Sequence, residues 1–252
     1  MSTRRREMLY QYLSENGEAR FQELCTLFPD FSSMTIRRDL EDLEMEGKIQ
    51  RFRGGARILN QQASLKEVAY AQRLVANIKE KRRIAEKALP FIQEAKSIYI
   101  DSGTTCVQLA TAIGSESLFV LTPAPYVAIE LINRPNIRVN LTGGQLSHDS
   151  LCLSGGNALA YVKNLNIDLA FIGASACSLN NAFTCGDYQE AELKKAIIKK
   201  AQKVICLMDS SKLNFSLPYT FAKFRDIHVL ITERLLPESY QRVLKRNQVR
   251  LI

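Results

Sequence analysis

Two groups of residues in this chain have types and spacings that can do chemistry. The first runs Ser32-Ser33-Met34-Thr35-Ile36-Arg37-Arg38-Asp39-Leu40, followed by Lys48-Ile49-Gln50-Arg51-Phe52-Arg53-Gly54-Gly55-Ala56. Ser32 stands where an N-cap belongs, because its hydroxyl can accept from the free amides of a first helical turn. Ile36, Leu40 and Leu43 then recur at helical spacing and make one buried stripe. That leaves Ser33, Met34, Thr35, Arg37 and Arg38 on the opposite face. Small hydroxyl residues let a helix approach the floor of a DNA major groove, and arginine reaches guanine edges or phosphates. Arg51 and Arg53 flank the Gly54-Gly55 turn of a basic hairpin and are expected on phosphates, which position a protein without reading sequence.

The second group is a set of polar residues that each follow an apolar, β-branched run: Asp101-Ser102-Gly103-Thr104-Thr105, Thr122, Thr142-Gly143-Gly144, Gly173 to Ser175, and Asp209 to Lys212. The carboxyl ends of parallel strands share one edge, so these loops are expected to converge on one crevice. The Ser102–Thr105 turn enters a helix, and its amides, its hydroxyls and the helix dipole together would cradle an anion. Lys194 or its neighbour Lys195, and Lys212, are expected to supply cationic contacts of the kind a phosphate prefers.

The elements that must position these groups are legible as a pattern. Residues 5–16 carry Met8, Leu9, Tyr12 and Leu13 at helical spacing and end at Gly17; residues 21–28 give a short second helix through Phe21, Leu24, Cys25 and Phe28. Pro29-Asp30 turns the chain into Ser32. Residues 1–58 therefore read as a winged helix-turn-helix. Residues 59–72 read as a linker, polar at Asn60-Gln61-Gln62-Ala63-Ser64, with a helix predicted over 67–88 around Leu74, Ile78 and Ala85. Strands are predicted at 97–100, 118–121, 137–141, 169–172, 204–208 and 229–231, with helices at 106–113, 127–132 and 189–203. This alternation over 73–252 argues an open, largely parallel α/β sheet.

Composition excludes several classes. The chain has 252 residues, 46% of them hydrophobic, enough for a small and a larger domain with proper cores. No apolar run reaches membrane length and no signal-peptide pattern opens the chain, so the expectation is a cytoplasmic protein without a membrane partner. Six cysteines lie scattered without a metal-type pair and read as reduced packing residues; neither a metal nor a cofactor is expected. The net charge is +8, yet residues 1–60 hold ten basic and ten acidic residues. What matters there is separation: acids gather at Glu41, Asp42, Glu44 and Glu46, and arginines at 4–6, 37–38 and 51–57, so one face can still be positive.

The order of these residues is similar to that of the DeoR family of bacterial transcription regulators. The similarity rests on Thr35-Ile36-Arg37-Arg38-Asp39-Leu40, Leu43 and Arg53-Gly54-Gly55-Ala56. It continues through Lys81-Arg82-Arg83, Asp101-Ser102-Gly103-Thr104-Thr105, Gly143-Gly144 and Asp209-Ser210-Ser211-Lys212, and so covers nearly the whole chain. It implies a winged helix-turn-helix joined to an effector domain resembling ribose 5-phosphate isomerase. It also implies a repressor that grips a double-stranded DNA operator as a homo-oligomer, controlled by a phosphorylated sugar or related metabolite. The effector contacts it implies are Asp101, Ser102, Gly103, Thr104, Thr105, Thr122, Gly143, Gly144, Lys194 and Lys212. The sequence departs from the family where members carry Thr-Asn and this chain has Thr122-Pro123-Ala124-Pro125. It departs again after Gly-Gly, where Gln145-Leu146-Ser147-His148-Asp149 lacks the arginine that many members have.

The alternative reading is an isomerase-like enzyme, which needs a carboxylate base beside the anion site. Where that enzyme carries acids at a strand end, Gly173-Ala174-Ser175-Ala176 offers none. Asp101, Asp187, Glu190 and Asp209 are the bases that this alternative would have to use; the regulator reading assigns no catalytic residue.

Overall fold

The computed structural model describes residues 2–16, 18–46, 48–58, 70–93 and 95–252. The chain divides into two compact units, Met1–Leu65 and Lys66–Ile252. Most of the segment expected as a linker, and residues 67–69 of the helix predicted over 67–88, lie outside the described residues.

In the smaller unit, α1 (Ser2–Asn16), α2 (Phe21–Leu27) and α3 (Ser33–Met45) surround a sheet made of β1 (Glu18–Arg20), β2 (Ile49–Phe52) and β3 (Gly55–Ile58). Its order is β1-β3-β2, antiparallel throughout. The core consists of Leu9, Leu13, Leu24, Ile36, Leu40, Leu43 and Ile49 with Ala19 and Ala56, so the helical stripes converge as their spacing demands. Ser32 caps α3 by accepting from Thr35 N at 3.2 Å. The three-residue strand β1 carries no periodic signal and was not expected. It fixes one glycine: a Cβ on Gly55 would lie 2.3 Å from the Ala19 carbonyl oxygen. Gly54, at φ +97°, makes the hairpin turn itself.

The larger unit is built on seven parallel strands in the order β15-β14-β12-β9-β4-β5-β6. These are β4 (Ser97–Ile100), β5 (Leu118–Thr122), β6 (Ile137–Leu141), β9 (Ile167–Gly173), β12 (Ala201–Leu207), β14 (Val229–Ile231) and β15 (Arg250–Leu251). Successive residues of a strand point to opposite faces, and the core divides accordingly. Ile98, Ile100 and Phe171 face α5 (Ile78–Ala88), α6 (Thr104–Ala112) and α7 (Pro125–Leu131). Tyr99, Ala170 and Ile172 face α8 (Gly156–Val162), α9 (Tyr188–Lys200) and α10 (Glu238–Arg246). The strand order reverses at β4, which has β5 on one side and β9 on the other. A crevice at the carboxyl edge follows from that reversal.

Three corrections concern elements. The helix predicted over 67–88 is two helices, α4 (Tyr70–Val75) and α5, because Asn77 takes the left-handed conformation at φ 52° and breaks the backbone ladder. The helix predicted to reach residue 203 stops at Lys200, and 201–207 extend into β12 beside β9. A second, antiparallel sheet of β10 (Ala176–Ser178), β11 (Ala182–Cys185) and β13 (Tyr219–Ala222), and a hairpin of β7 (Gln145–Leu146) and β8 (Leu153–Ser154), were not expected. Among the described residues no helix is long and apolar enough to cross a membrane, and no cluster of His, Cys, Asp and Glu suits a metal.

Candidate functional site

On the smaller unit, α3 presents Ser33, Met34, Arg37 and Arg38 as exposed residues, with Met34 at 77% exposure; Thr35 is half-buried and shares a 2.8 Å hydroxyl contact with Ser32. The guanidinium of Arg37 lies 5.1 Å from the centroid of the Phe21 ring, which holds it without neutralising it. A groove between helix and hairpin is lined by Phe21, Arg37, Glu44, Arg51, Phe52 and Arg53. Arg37, Arg38 and Arg53 have no carboxylate partner among the described residues.

Arg51 is different. Its backbone and Nε donate to Glu44 at 2.9 and 3.0 Å, and its Nη1 donates to Glu41 at 2.8 Å. Expected as a phosphate contact, it is instead committed to two acids of α3 and braces the hairpin against that helix. Asp39, part of the sequence signature but given no role, is 2% exposed and takes both a close contact from Arg5 Nε and a 2.9 Å bond from Arg5 Nη2. It clamps α3 to α1. Arg6 adds a bond to Glu46 at 2.9 Å. The five acids Asp39, Glu41, Asp42, Glu44 and Glu46 are thus engaged in bracing α3 through Arg5, Arg6 and Arg51, which leaves Arg37, Arg38 and Arg53 without a carboxylate partner among the described residues. The acid cluster noted in the sequence was the available signal for this bracing.

On the larger unit, the loops after β4, β5, β6, β9 and β12 do share the carboxyl edge of the parallel sheet. Gly103, at φ +107°, precedes α6, whose first turn has no side-chain cap; a Cβ at Gly103 would meet open space. Thr104 is buried and Thr105 half-buried beside it. Thr104 and Thr105 thus stand in a helix turn without a side-chain cap, and uncapped first-turn amides are groups that can hold an anion. Gly143 and Gly144 both have positive φ, and a Cβ on Gly144 would strike the Ser154 carbonyl oxygen at 2.3 Å. Backbone packing against β8 thus accounts for the second glycine. Thr122 is fully buried, and its hydroxyl accepts from Ala124 N at 3.1 Å, closing the Thr122–Pro125 turn.

Lys194 and Asp101 depart from expectation as effector contacts. Lys194 is 2% exposed and donates to Asp101 Oδ2 in a close contact, to Gly173 O at 3.0 Å, and pairs with Glu190 Oε1 at 3.1 Å. Two of the three N–H groups of the ammonium are thus engaged in hydrogen bonds, and Glu190 adds a second carboxylate beside the charge. Burial works against the charge, but Asp101 and Glu190 outweigh it and hold Lys194 well above the ordinary lysine range. Asp101 also takes Gly173 N at 2.9 Å and Tyr99 OH at 3.1 Å, so both its oxygens are engaged. The pair ties β4, β9 and α9 together at the carboxyl edge of the sheet. Lys195 bonds Glu192 at 2.8 Å.

Asp209 caps a short turn, Ser210–Lys212, by accepting from Ser211 N at 3.1 Å. Lys212 in that turn is half-buried and has no carboxylate partner among the described residues. Ser210 is held by Glu233 through its backbone at 3.0 Å and its hydroxyl at 2.5 Å.

Comparison with known proteins bears on both halves. Residues 5–62 match the DeoR-like helix-turn-helix domain and residues 76–234 match the DeoR C terminal sensor domain. The HTH-type transcriptional regulator GlpR of Haloferax volcanii is 33% identical over 225 residues, covering 89% of this chain and 87% of its own. The HTH-type transcriptional regulator GolR of Listeria innocua is 32% identical over 236 residues, covering 93% and 92%. The HTH-type transcriptional repressor GlcR of Bacillus subtilis is 29% identical over 244 residues, covering 97% and 93%. Among solved structures, ribose 5-phosphate isomerase A of Methanocaldococcus jannaschii aligns at 16% identity with a TM-score of 0.41, over 55% of this chain and 56% of the other.

Proposed function

Because this chain belongs to the DeoR family of DNA-binding transcription regulators, with a small-molecule sensor domain following its helix-turn-helix, we propose that it is a repressor whose hold on a double-stranded operator is set by a phosphorylated sugar or related metabolite. It is a regulator and not an enzyme. It acts as a homo-oligomer that presents paired winged helices to half-sites.

The division of arginines supports the DNA contacts. Arg37 and Arg38, with Ser33, Met34 and Thr35, enter the groove, and Arg53 contacts phosphate. Arg51 keeps the hairpin in place. For the effector, the carrying observation is the uncapped first turn of α6 behind Gly103, with Thr104, Thr105 and Lys212 on the same sheet edge. Ser102, Thr122 and the Gly143-Gly144 turn shape the crevice, while Asp101 and Lys194 tie its strands together. Effector binding changes DNA affinity only by the difference between its affinities for the two states of the protein.

The test is operator affinity with and without effector. Lys212→Ala is expected to weaken effector binding by removing a charge-assisted contact, and to leave effector-free operator binding unchanged. A variant that responds at the wild-type effector concentration would remove Lys212 from the site.

A further inference from the structure

The helix that opens the larger unit, α4, meets the carboxyl edge of the sheet in several places. The Tyr70 ring stacks on Tyr126 at the start of α7, with 5.2 Å between centroids and 17° between planes. Arg73 lies over the Tyr70 ring at 5.6 Å and donates from Nη2 to Asp149 O at 3.2 Å, in the loop between β7 and β8. Asn77, just beyond the helix, donates from Nδ2 to Asp209 Oδ1 and to Ser211 Oγ, both at 3.2 Å. Lys81 fastens the far end by donating to the carbonyls of Arg73 and Ala76 at 2.5 and 2.6 Å. Helix α4 also packs on α6, the helix that begins at Thr104. It therefore lies against the loops after β5, β6 and β12 and against the helix after β4.

Within this frame one polar atom has nothing to bond. Tyr70 is 7% exposed, and its hydroxyl is buried without a hydrogen-bond partner among the described residues. Burial raises the phenol to about 12, so it is a neutral donor throughout the physiological range. The helix that carries it packs on α6, and its ring lies on Tyr126 at the start of α7. Native proteins rarely leave such a donor unpaired, so each one calls for a physical reason.

We propose that the Tyr70 hydroxyl is a donor to the effector, so that a ligand at the Thr104–Thr105 turn is gripped by the segment that leads out of the DNA-binding unit. The inference rests on the effector reading above. Because the hydroxyl is inaccessible in the unliganded protein, a ligand reaches it only when α4 lifts, and Asn77, at φ 52°, is the joint between α4 and α5. Residues 59–69 alone separate Tyr70 from the end of β3. Ligand recognition and displacement of α4 thus become one event.

The test uses the full chain and three probes: ribose 5-phosphate, fructose 6-phosphate and inorganic phosphate, titrated by calorimetry into wild type, Tyr70→Phe and Thr105→Val. Tyr70→Phe keeps the stacked ring and deletes only the hydroxyl. It is expected to bind the sugar phosphate that wild type binds about tenfold more weakly, the scale of one buried hydrogen bond, with an unliganded melting temperature at or above wild type. Weakened binding in Thr105→Val with none in Tyr70→Phe would overturn this inference and leave the effector crevice standing. Unaltered binding in both variants, or no binding of any probe by wild type, would overturn the crevice reading and this inference with it. A lower unliganded melting temperature in Tyr70→Phe would mean that the hydroxyl has a partner within the protein, and would overturn the inference as well.

Discussion

The two units use the same ingredients, a cation beside carboxylates, in opposite ways. In the helix-turn-helix unit the paired arginines sit near the surface: the side chains of Arg5, Arg6 and Arg51 are 19%, 23% and 34% exposed. They staple short elements around nine buried apolar residues. In the sensor unit one lysine is enclosed with two carboxylates, at 2% exposure for Lys194, 1% for Asp101 and 4% for Glu190. Exposed pairs gain little because water screens them and long side chains lose freedom. A buried pair is costly to form and costlier to break, because removing one partner strands the other in a low dielectric. The small unit therefore spends its acids on orientation and keeps Arg37, Arg38 and Arg53 free. The large unit instead encloses its charged group, where Lys194 joins β4, β9 and α9 through Asp101 and Gly173.

The sharpest way to break that comparison is to break the buried group. Lys194→Met leaves Asp101 and Glu190 without a cation and is expected to destabilise the sensor unit by about 3–5 kcal/mol in chemical denaturation. The triple variant Asp101→Asn, Glu190→Gln, Lys194→Met is expected to recover most of that loss, since replacing a whole buried ionic group is often near neutral. A loss below about 1 kcal/mol for Lys194→Met would place the group in the exposed class instead.

The next largest effect belongs to the Arg5–Asp39 clamp, the most enclosed of the pairs in the small unit. Asp39→Ala removes a two-pronged charged contact and is expected to cost about 2–3 kcal/mol. It is also expected to weaken operator binding although no groove-facing residue has changed, because α3 loses its hold on α1. Arg51→Ala, with a more exposed guanidinium, is expected to cost about 1 kcal/mol or less. Gel-shift and denaturation measurements on both variants check the order; equal losses would erase the distinction drawn from burial.

How much of the molecule is readable from its sequence follows the same line between local and long-range causes. The recognition helix is legible because Ser32, Ile36, Leu40 and Leu43 act within a few residues of one another. The sheet edge is legible because strands of alternating or continuous apolar residues end in polar loops. Residues whose role depends on distant partners are not. Nothing near Lys194 in sequence announces Asp101, which lies 93 positions away, and Arg5 gives no local sign of Asp39. The short strand β1 exists only because β3 pairs with it, and Asn77 breaks a helix whose apolar pattern runs on without interruption. In sequence Lys194 and Lys212 look alike, both lysines expected to meet an anion at one sheet edge. Burial and partners separate them, and neither can be read from spacing.

Lys81 falls between the two regimes and gives the finest test of the comparison. It is 3% exposed, like Lys194, yet its ammonium is held by two backbone carbonyls and not by a carboxylate. Burial lowers its pKa from 10.5 to about 8, with Asp209 pulling partly the other way and Lys212 and Arg73 adding to the fall. Between pH 8 and 10 the folded lysine gives up its proton while the unfolded chain, still near the ordinary lysine value, keeps one. The unfolded state then binds more protons, so stability rises with pH across that window. The gain is expected to reach about 2 kcal/mol by pH 10, because each tenfold difference in proton affinity between the two states is worth about 1.4 kcal/mol. Denaturation curves of wild type and Lys81→Met at pH 7 and pH 10 measure it as the difference of differences. A wild type that gains nothing relative to Lys81→Met would mean that the two carbonyls stabilise the ammonium as fully as a carboxylate does. Burial without an acid partner would then not suffice to set Lys81 apart from Lys194.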